Sequence, residues 1–168
     1  MITLGIDPGT ARLGFGVVSG VDQPRAIEFG VIETEAASPM PDRLATLFDA
    51  VTDLLHRHHP GALAVEQLFF ARNVTTAMTV GQARGVVLLA AARAGVTVAE
   101  YTPSEVKHAV AGYGKADKFQ MQEMVRLLLD LATVPHPDDA ADALAVALCH
   151  HQTAPFLARL ADQAGAGT

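Results

Sequence analysis

The sequence has a single cysteine, Cys149, set in an alanine-rich apolar run. An intrachain disulfide is therefore excluded, and a lone thiol in apolar surroundings fits a reducing compartment. No apolar run reaches the roughly 20 residues needed to span a membrane. The N-terminus lacks the basic start and long apolar stretch of a signal peptide. A cytoplasmic protein with no membrane partner is expected. The phosphate-loop pattern is missing as well: Gly9, Gly14 and Gly16 do not follow Gly-x-Gly-x-x-Gly, and no P-loop lysine accompanies them. Lysine itself is scarce, and Lys107, Lys115 and Lys118 are the only three.

What is present suffices for a folded core. Of the 168 residues, 50% are hydrophobic and 18% charged, which points to one globular domain rather than a disordered chain. That domain is expected over 1–157, with the small, polar stretch 158–168 as a mobile tail. Net charge is −6, at first sight unfavourable for a nucleic-acid partner. Its distribution says more. Residues 1–71 carry four arginines against nine acids, residues 72–126 seven bases against four acids, and residues 127–168 one base against five acids. The basic middle segment, with all the lysines, suits an anionic partner met locally.

The chain is organised around its first strand. Ile2 to Ile6 is apolar, ends on Asp7 and breaks at Pro8-Gly9. Strand alternation puts Leu4 and Ile6 on one face and Gly5 and Asp7 on the other. A carboxylate at the mouth of a buried strand is costly unless a cation or donor meets it. Gly14–Val18 and Arg25–Thr34 read as two further strands, joined by a hairpin turn at Gly20–Pro24. After a breaker at Ser38–Pro41, Leu44, Leu47, Phe48, Val51, Leu54 and Leu55 recur at helical spacing. The group His56, Arg57, His58 and His59 before Pro60-Gly61 reads as cations at a helix end rather than a metal site. Ala62–Glu66 repeats the design of the first strand, apolar until it ends on an acid. A strand-helix-strand passage makes parallel neighbours, and ligands bind at the carboxyl ends of such strands. Asp7 and Glu66 would then face one spot, where a divalent cation relieves their repulsion.

Of Phe69 and Phe70, alternation sends one inward and leaves the other beside the acidic cleft, able to stack on a base. A helix is predicted over Val74–Arg93. Ala77, Gly81 and Gly85 recur every fourth residue and form a smooth face, suited to the same helix of a second subunit. A fifth strand is expected over Gly95–Glu100, then a helix capped by Thr102 and Glu105 that carries Lys107 and stops near Gly112. The next helix, Ala116–Leu129, buries Met121, Met124, Val125 and Leu128. Lys115 and Lys118 at its start oppose the helix dipole, which favours a phosphate-facing role. The last helix runs from Asp138, its expected N-cap, to about His151. Asp139 and Asp142, three apart, share one face of it.

Four motifs in this order resemble the bacterial RuvC family of Holliday-junction resolvases: Gly5-Ile6-Asp7-Pro8-Gly9-Thr10; Val65-Glu66-Gln67 with Phe69; Gly81-Gln82-Ala83-Arg84-Gly85; and Asp139-Ala140-Ala141-Asp142-Ala143-Leu144. The resemblance covers nearly the whole chain. It implies an α/β, ribonuclease-H-like fold: a five-stranded mixed sheet flanked by helices on both faces, its first three strands antiparallel. It implies a homodimer that cuts two symmetry-related strands of a four-way DNA junction and works with branch-migration helicase proteins. Asp7, Glu66, Asp139 and Asp142 would be the catalytic, metal-binding acids. Lys107 and Lys118 would support DNA binding, with Lys115 and Arg72 beside them, and Phe69 would stack on a base near the cut.

The chemistry requires such residues. A phosphodiester is anionic, so water attacks it slowly unless charge is neutralised. Two Mg²⁺ or Mn²⁺ ions per active site, about 4 Å apart, can hold the attacking water and the leaving 3′ oxygen in line. Carboxylates supply the hard oxygen ligands these ions prefer. Asp7 is expected to bridge the ions, with Glu66 on one side and Asp139 and Asp142 on the other. Products would carry 5′-phosphate and 3′-hydroxyl ends. The alternatives are a related nuclease acting on structured RNA, an ATP-binding protein of the actin-like fold, whose first strand also ends in Asp-x-Gly-Thr, and a non-catalytic junction binder.

Overall fold

The computed structural model describes residues 1–20, 22–67 and 74–165, with side chains over the same ranges except 74–76 and 156–165. Its elements are β1 (Ile2–Asp7), β2 (Arg12–Ser19), β3 (Arg25–Glu33), α1 (Met40–His58), β4 (Ala62–Glu66), α2 (Val74–Arg93), β5 (Thr97–Tyr101), α3 (Pro103–Ala111), α4 (Lys118–Leu128) and α5 (Asp138–Gly165). The strands form one mixed sheet in the order β3-β2-β1-β4-β5. β1–β2 and β2–β3 pair antiparallel, and β1–β4 and β4–β5 pair parallel. The predicted α/β class, strand number and strand directions are all observed.

Alternation along the central strands divides the core into two layers. Leu4, Ile6, Leu63 and Val65 face Leu47, Val51 and Leu54 of α1 and Val87 and Ala90 of α2. On the other side, Val18 and Ala64 face Val106 of α3, Val125 of α4 and Leu144 and Leu148 of α5. α5 lies tight on the sheet because both surfaces are shaved down. Ala140, Ala141, Ala143, Ala145 and Ala147 are all buried. Beneath them, a Cβ at Gly5 would run into the Ala143 carbonyl oxygen, and one at Gly16 would press on the Leu144 side chain. The alanine-rich helix and the glycines of β1 and β2 are thus two halves of one packing solution.

Several boundaries differ from expectation for identifiable reasons. α1 starts at Met40, so Pro41 falls in its first turn, where a missing N–H costs nothing. It stops at His59, which adopts a left-handed conformation ahead of Pro60. β5 begins at Thr97, because Gly95 (φ 68°) still belongs to the turn that ends α2. α4 begins at Lys118 rather than Ala116, because Asp117 caps it: its carboxylate accepts from the Gln120 amide while the Gln120 side chain accepts from the Asp117 amide. α5 continues past His151, through Pro155, to Gly165. Thr102 and Glu105 form the expected capping box of α3.

Candidate active site

β1 and β4 run side by side with Ile6 opposite Val65, so Asp7 and Glu66 follow as adjacent strand ends. Each lies an even number of residues from a position covered by the α5 layer, Gly5 in β1 and Ala64 in β4. Both carboxylates therefore emerge on the face where α5 begins. Asp7, Glu66 and Asp142 line one cavity of about 240 Å³, together with Pro8, Gln67 and Val80. Three acids from distant parts of the chain thus share a small space.

Their ionisation reflects it. Asp7 is half-buried, and its carboxyl is pushed up from 3.8 to about 7, first by burial and then by the charges of Asp142, Asp139 and Glu66, with Lys118 opposing. Burial also raises Glu66, with Asp142 adding to it and Lys107 opposing. Asp142 is raised mainly by burial, against the pull of Lys118. A cluster of hard oxygen donors carrying more negative charge than nearby lysines offset is the donor set a hard divalent cation fits. Among the described residues, however, no group of three or more His, Cys, Asp or Glu side chains has the spacing of a preformed metal site. Asp139 is engaged elsewhere: its Oδ2 lies 3.2 Å from Nη2 of Arg12.

A second cavity, about 250 Å³, adjoins the first through Glu66 and Asp142 and is lined by Lys107, Lys118, Pro103, Val106 and Met121. Two of the expected DNA-binding lysines therefore stand at the acid cluster itself. Lys118 Nζ is 2.8 Å from Asp138 Oδ2, and Gln122 donates to Asp138 Oδ1 at 2.9 Å. Asp138 is consequently not the N-cap. The amides of Ala140 and Ala141 bond to the Pro137 carbonyl, so Asp138 is the first residue of the helix, and its side chain holds α4 instead. Lys115 is exposed on the loop before α4. Phe69 and Arg72, along with Phe70, lie outside the described residues.

The α2 residues fall on the side of the helix away from the core. Its buried face carries Ala83, Val87, Ala90 and Ala91. Ala77 and Gly81 are half-buried, and a Cβ at Gly85 would meet nothing within 4 Å. Met78 and Leu89 are 64% and 52% exposed, so this outer surface is apolar as well as smooth. The histidine group at the end of α1 is structural. Arg57 Nη1 and His58 Nε2 reach Glu28 of β3 at 2.8 and 2.7 Å, tying the helix to the edge strand.

Sequence reasoning assigns no role to Arg12 or to Gly14 beyond its strand. The signal for both was present, because an antiparallel hairpin returning from Asp7 must place residues 12–14 back at the mouth of β1. Asp7 and Gly14 are register partners.

The sequence model of the family described as "Crossover junction endodeoxyribonuclease RuvC" matches residues 3–150. The protein of that name from Chloroflexus aggregans is 59% identical over 162 residues, covering 95% of this chain and 98% of the relative. Its namesake from Moorella thermoacetica is 53% identical over 98% of this chain and 99% of its own. Among solved structures, Thermus thermophilus RuvC in complex with a Holliday junction substrate superposes with a TM-score of 0.89 at 43% identity, covering 93% of this chain and 96% of that one. The five-stranded mixed sheet with helices on both faces is therefore the ribonuclease-H-like fold. With its sequence matched from the first strand into the last helix, and its backbone superposing on that of a family member, the chain belongs to the RuvC family.

Proposed function

We propose that this protein is a structure-selective endodeoxyribonuclease that resolves four-way DNA junctions, with Asp7, Glu66, Asp139 and Asp142 as its catalytic acids. The observation that carries this reading is the meeting of Asp7, Glu66 and Asp142 in one cavity, where burial and the neighbouring acids raise the Asp7 carboxyl to about 7. Like charges gathered in a cleft repel one another, and a bound divalent cation relieves that repulsion. The four acids would hold divalent ions, two Mg²⁺ or Mn²⁺ per site. Such ions, when bound, neutralise the phosphate and lower the pKa of a water.

The chain's own residues supply the rest. Burial and the neighbouring acids favour a proton on Asp7, and a bound cation would favour its carboxylate form. The strand ends of β1 and β4 fix Asp7 and Glu66, and the first turns of α5 bring Asp139 and Asp142 over them. Lys107 and Lys118 face the adjoining cavity, where phosphates flanking the cut would lie. Hydrolysis adds the water oxygen to phosphorus and breaks the bond to O3′, whose new proton comes from water; the ends are 5′-phosphate and 3′-hydroxyl. Phe69 and Arg72 complete the DNA contacts on this reading.

Two such centres are needed for paired cuts. The exposed apolar face of α2, with Met78, Gly85 and Leu89, supports a homodimer through that helix. Branch-migration helicases would be its working partners, in the cytoplasm. The relatives are named endodeoxyribonucleases, and nothing favours the RNA-directed alternative.

The test is cleavage of synthetic four-way junctions, linear duplex and structured RNA in Mg²⁺, Mn²⁺ and chelator. Symmetric nicking of the junction alone, abolished by chelator, is expected. Equal cutting of all three substrates, or cutting in chelator, would remove the proposal.

A further inference from the structure

We propose that Arg12 exchanges partners: it holds the Asp139 carboxylate in the free protein and passes to a DNA phosphate when a junction binds, releasing Asp139 to a divalent cation. This rests on the reading of Asp139 as a metal ligand.

Arg12 opens β2. It lies two residues before Gly14, and alternation places it on the same face of the sheet, the face on which α5 begins. Its side chain therefore emerges beside the first turn of that helix. Nη2 reaches Asp139 Oδ2 at 3.2 Å, while Nε lies 3.7 Å from Glu33 Oε1. Arg12 thus lies between two carboxylates, Asp139 of α5 and Glu33 of β3. The Arg12 and Asp139 side chains are 45% and 32% exposed. Solvent-facing pairs of this kind are weak and exchange readily. A guanidinium is always charged, and its fork of donors matches a phosphate better than a single carboxylate oxygen does.

The pair also stands where an exchange would matter. Asp139 is one of the three acids whose charge bears on Asp7. While Arg12 occupies it, one donor of the cluster is withheld. The neighbouring pair offers a contrast: Lys118 is held by Asp138, which is absent from the charges acting on Asp7. Asp138 reaches the cluster as a charge acting on Asp142 from beside Lys118, whereas freeing Asp139 adds a ligand. An incoming phosphate that draws Arg12 away would therefore tighten cation binding, and by reciprocity a bound cation would tighten junction binding. The arrangement discourages loading of metal before DNA is in place.

The full-length protein is suited to two measurements: Mn²⁺ binding without DNA, by calorimetry or spin resonance, and junction binding in chelator across a salt series, by anisotropy. Arg12→Gln should bind Mn²⁺ about two- to fivefold more tightly than the parent at low salt, with Arg12→Lys close to the parent. The slope of log affinity against log salt should fall by about 1 in Arg12→Gln. Unchanged melting temperatures would establish that the variants fold. Unaltered Mn²⁺ affinity, or an unaltered salt slope, overturns the exchange. Asp139→Asn separates the metal site from the exchange. If it weakens Mn²⁺ binding while Arg12→Gln changes nothing, the metal site stands and the exchange fails. If it leaves Mn²⁺ binding intact, Asp139 is no ligand and both fall. The gain from Arg12→Gln must vanish in the Asp139→Asn background.

Discussion

Gly14 and Asp139 meet with no room for a side chain between them: a Cβ at Gly14 would run into the Asp139 carbonyl oxygen. Gly14 is also the strand partner of Asp7. A missing side chain on β2 thus allows the first turn of α5 to settle beside the end of β1. Gly14→Ala should cost about 1–3 kcal/mol of folding stability by overpacking, measured by urea denaturation. Junction cleavage should fall further than that loss explains, because α5 must lift and carry Asp139 away from Asp7. Full activity in a folded Gly14→Ala protein would show that the close approach is dispensable.

Asp7→Asn should bind four-way junctions and fail to cut them in Mg²⁺. It should also change the dependence of stability on pH. The Asp7 carboxyl titrates near 3.8 when solvated and near 7 in the fold. Across that window the folded state holds more proton than the unfolded one, so metal-free stability falls as pH rises and levels off above about 7. Asparagine has no such titration. Denaturation in chelator should therefore find the advantage of Asp7→Asn over the parent widening from pH 4 to pH 7. Parallel curves would mean that Asp7 is not the strained group.

Asp138 offsets the charge of Lys118 at the edge of the cleft. Its hydrogen bond to the ammonium raises the Lys118 pKa, and Asp138 is itself lowered by the same contact. Asp138→Asn should leave Mn²⁺ affinity unchanged and strengthen junction binding at low salt, by about two- to fivefold, the scale of an exposed pair. The difference should fade in high salt. A large loss of Mn²⁺ binding would make Asp138 a ligand and reverse the assignment relative to Asp139.

The outer face of α2 gives a test of assembly. Leu89 is half exposed, and Gly85 faces open space. A charge placed there harms an isolated subunit little but is costly if the face is covered. Leu89→Glu with Gly85→Glu should shift the mass measured by light scattering from two chains to one. An unchanged mass would move the interface elsewhere.

The strand-to-acid design was legible because it is local: an apolar run that ends on Asp7, and another that ends on Glu66. Helical spacing then put Asp139 and Asp142 on one face without any knowledge of the sheet. The roles of Asp138 and Arg12 were not legible in the same way. Asp138 looks like a cap by position, and only the approach of Lys118 and Gln122 from α4 turns it into a tie between helices. Arg12 follows a turn whose geometry no short pattern specifies. The length of α5 was hidden by Pro155, which reads as a stop although the helix continues through it. The histidine group at the end of α1 shows the opposite case. Its composition suggests a metal, its position suggests a helix end, and its contacts with Glu28 bear out the position.

α5 closes the sheet and comes last among the described elements, and on the proposed assignment it delivers two of the four acids. During synthesis Asp7 and Glu66 emerge early, on strands whose glycines have nothing yet to cover them. The helix that carries Asp139 and Asp142 follows only after all five strands have been made. On the proposed assignment, a chain interrupted before that point has no means of breaking DNA. The order of the elements thus leaves the acid cluster unassembled until α5 has been made.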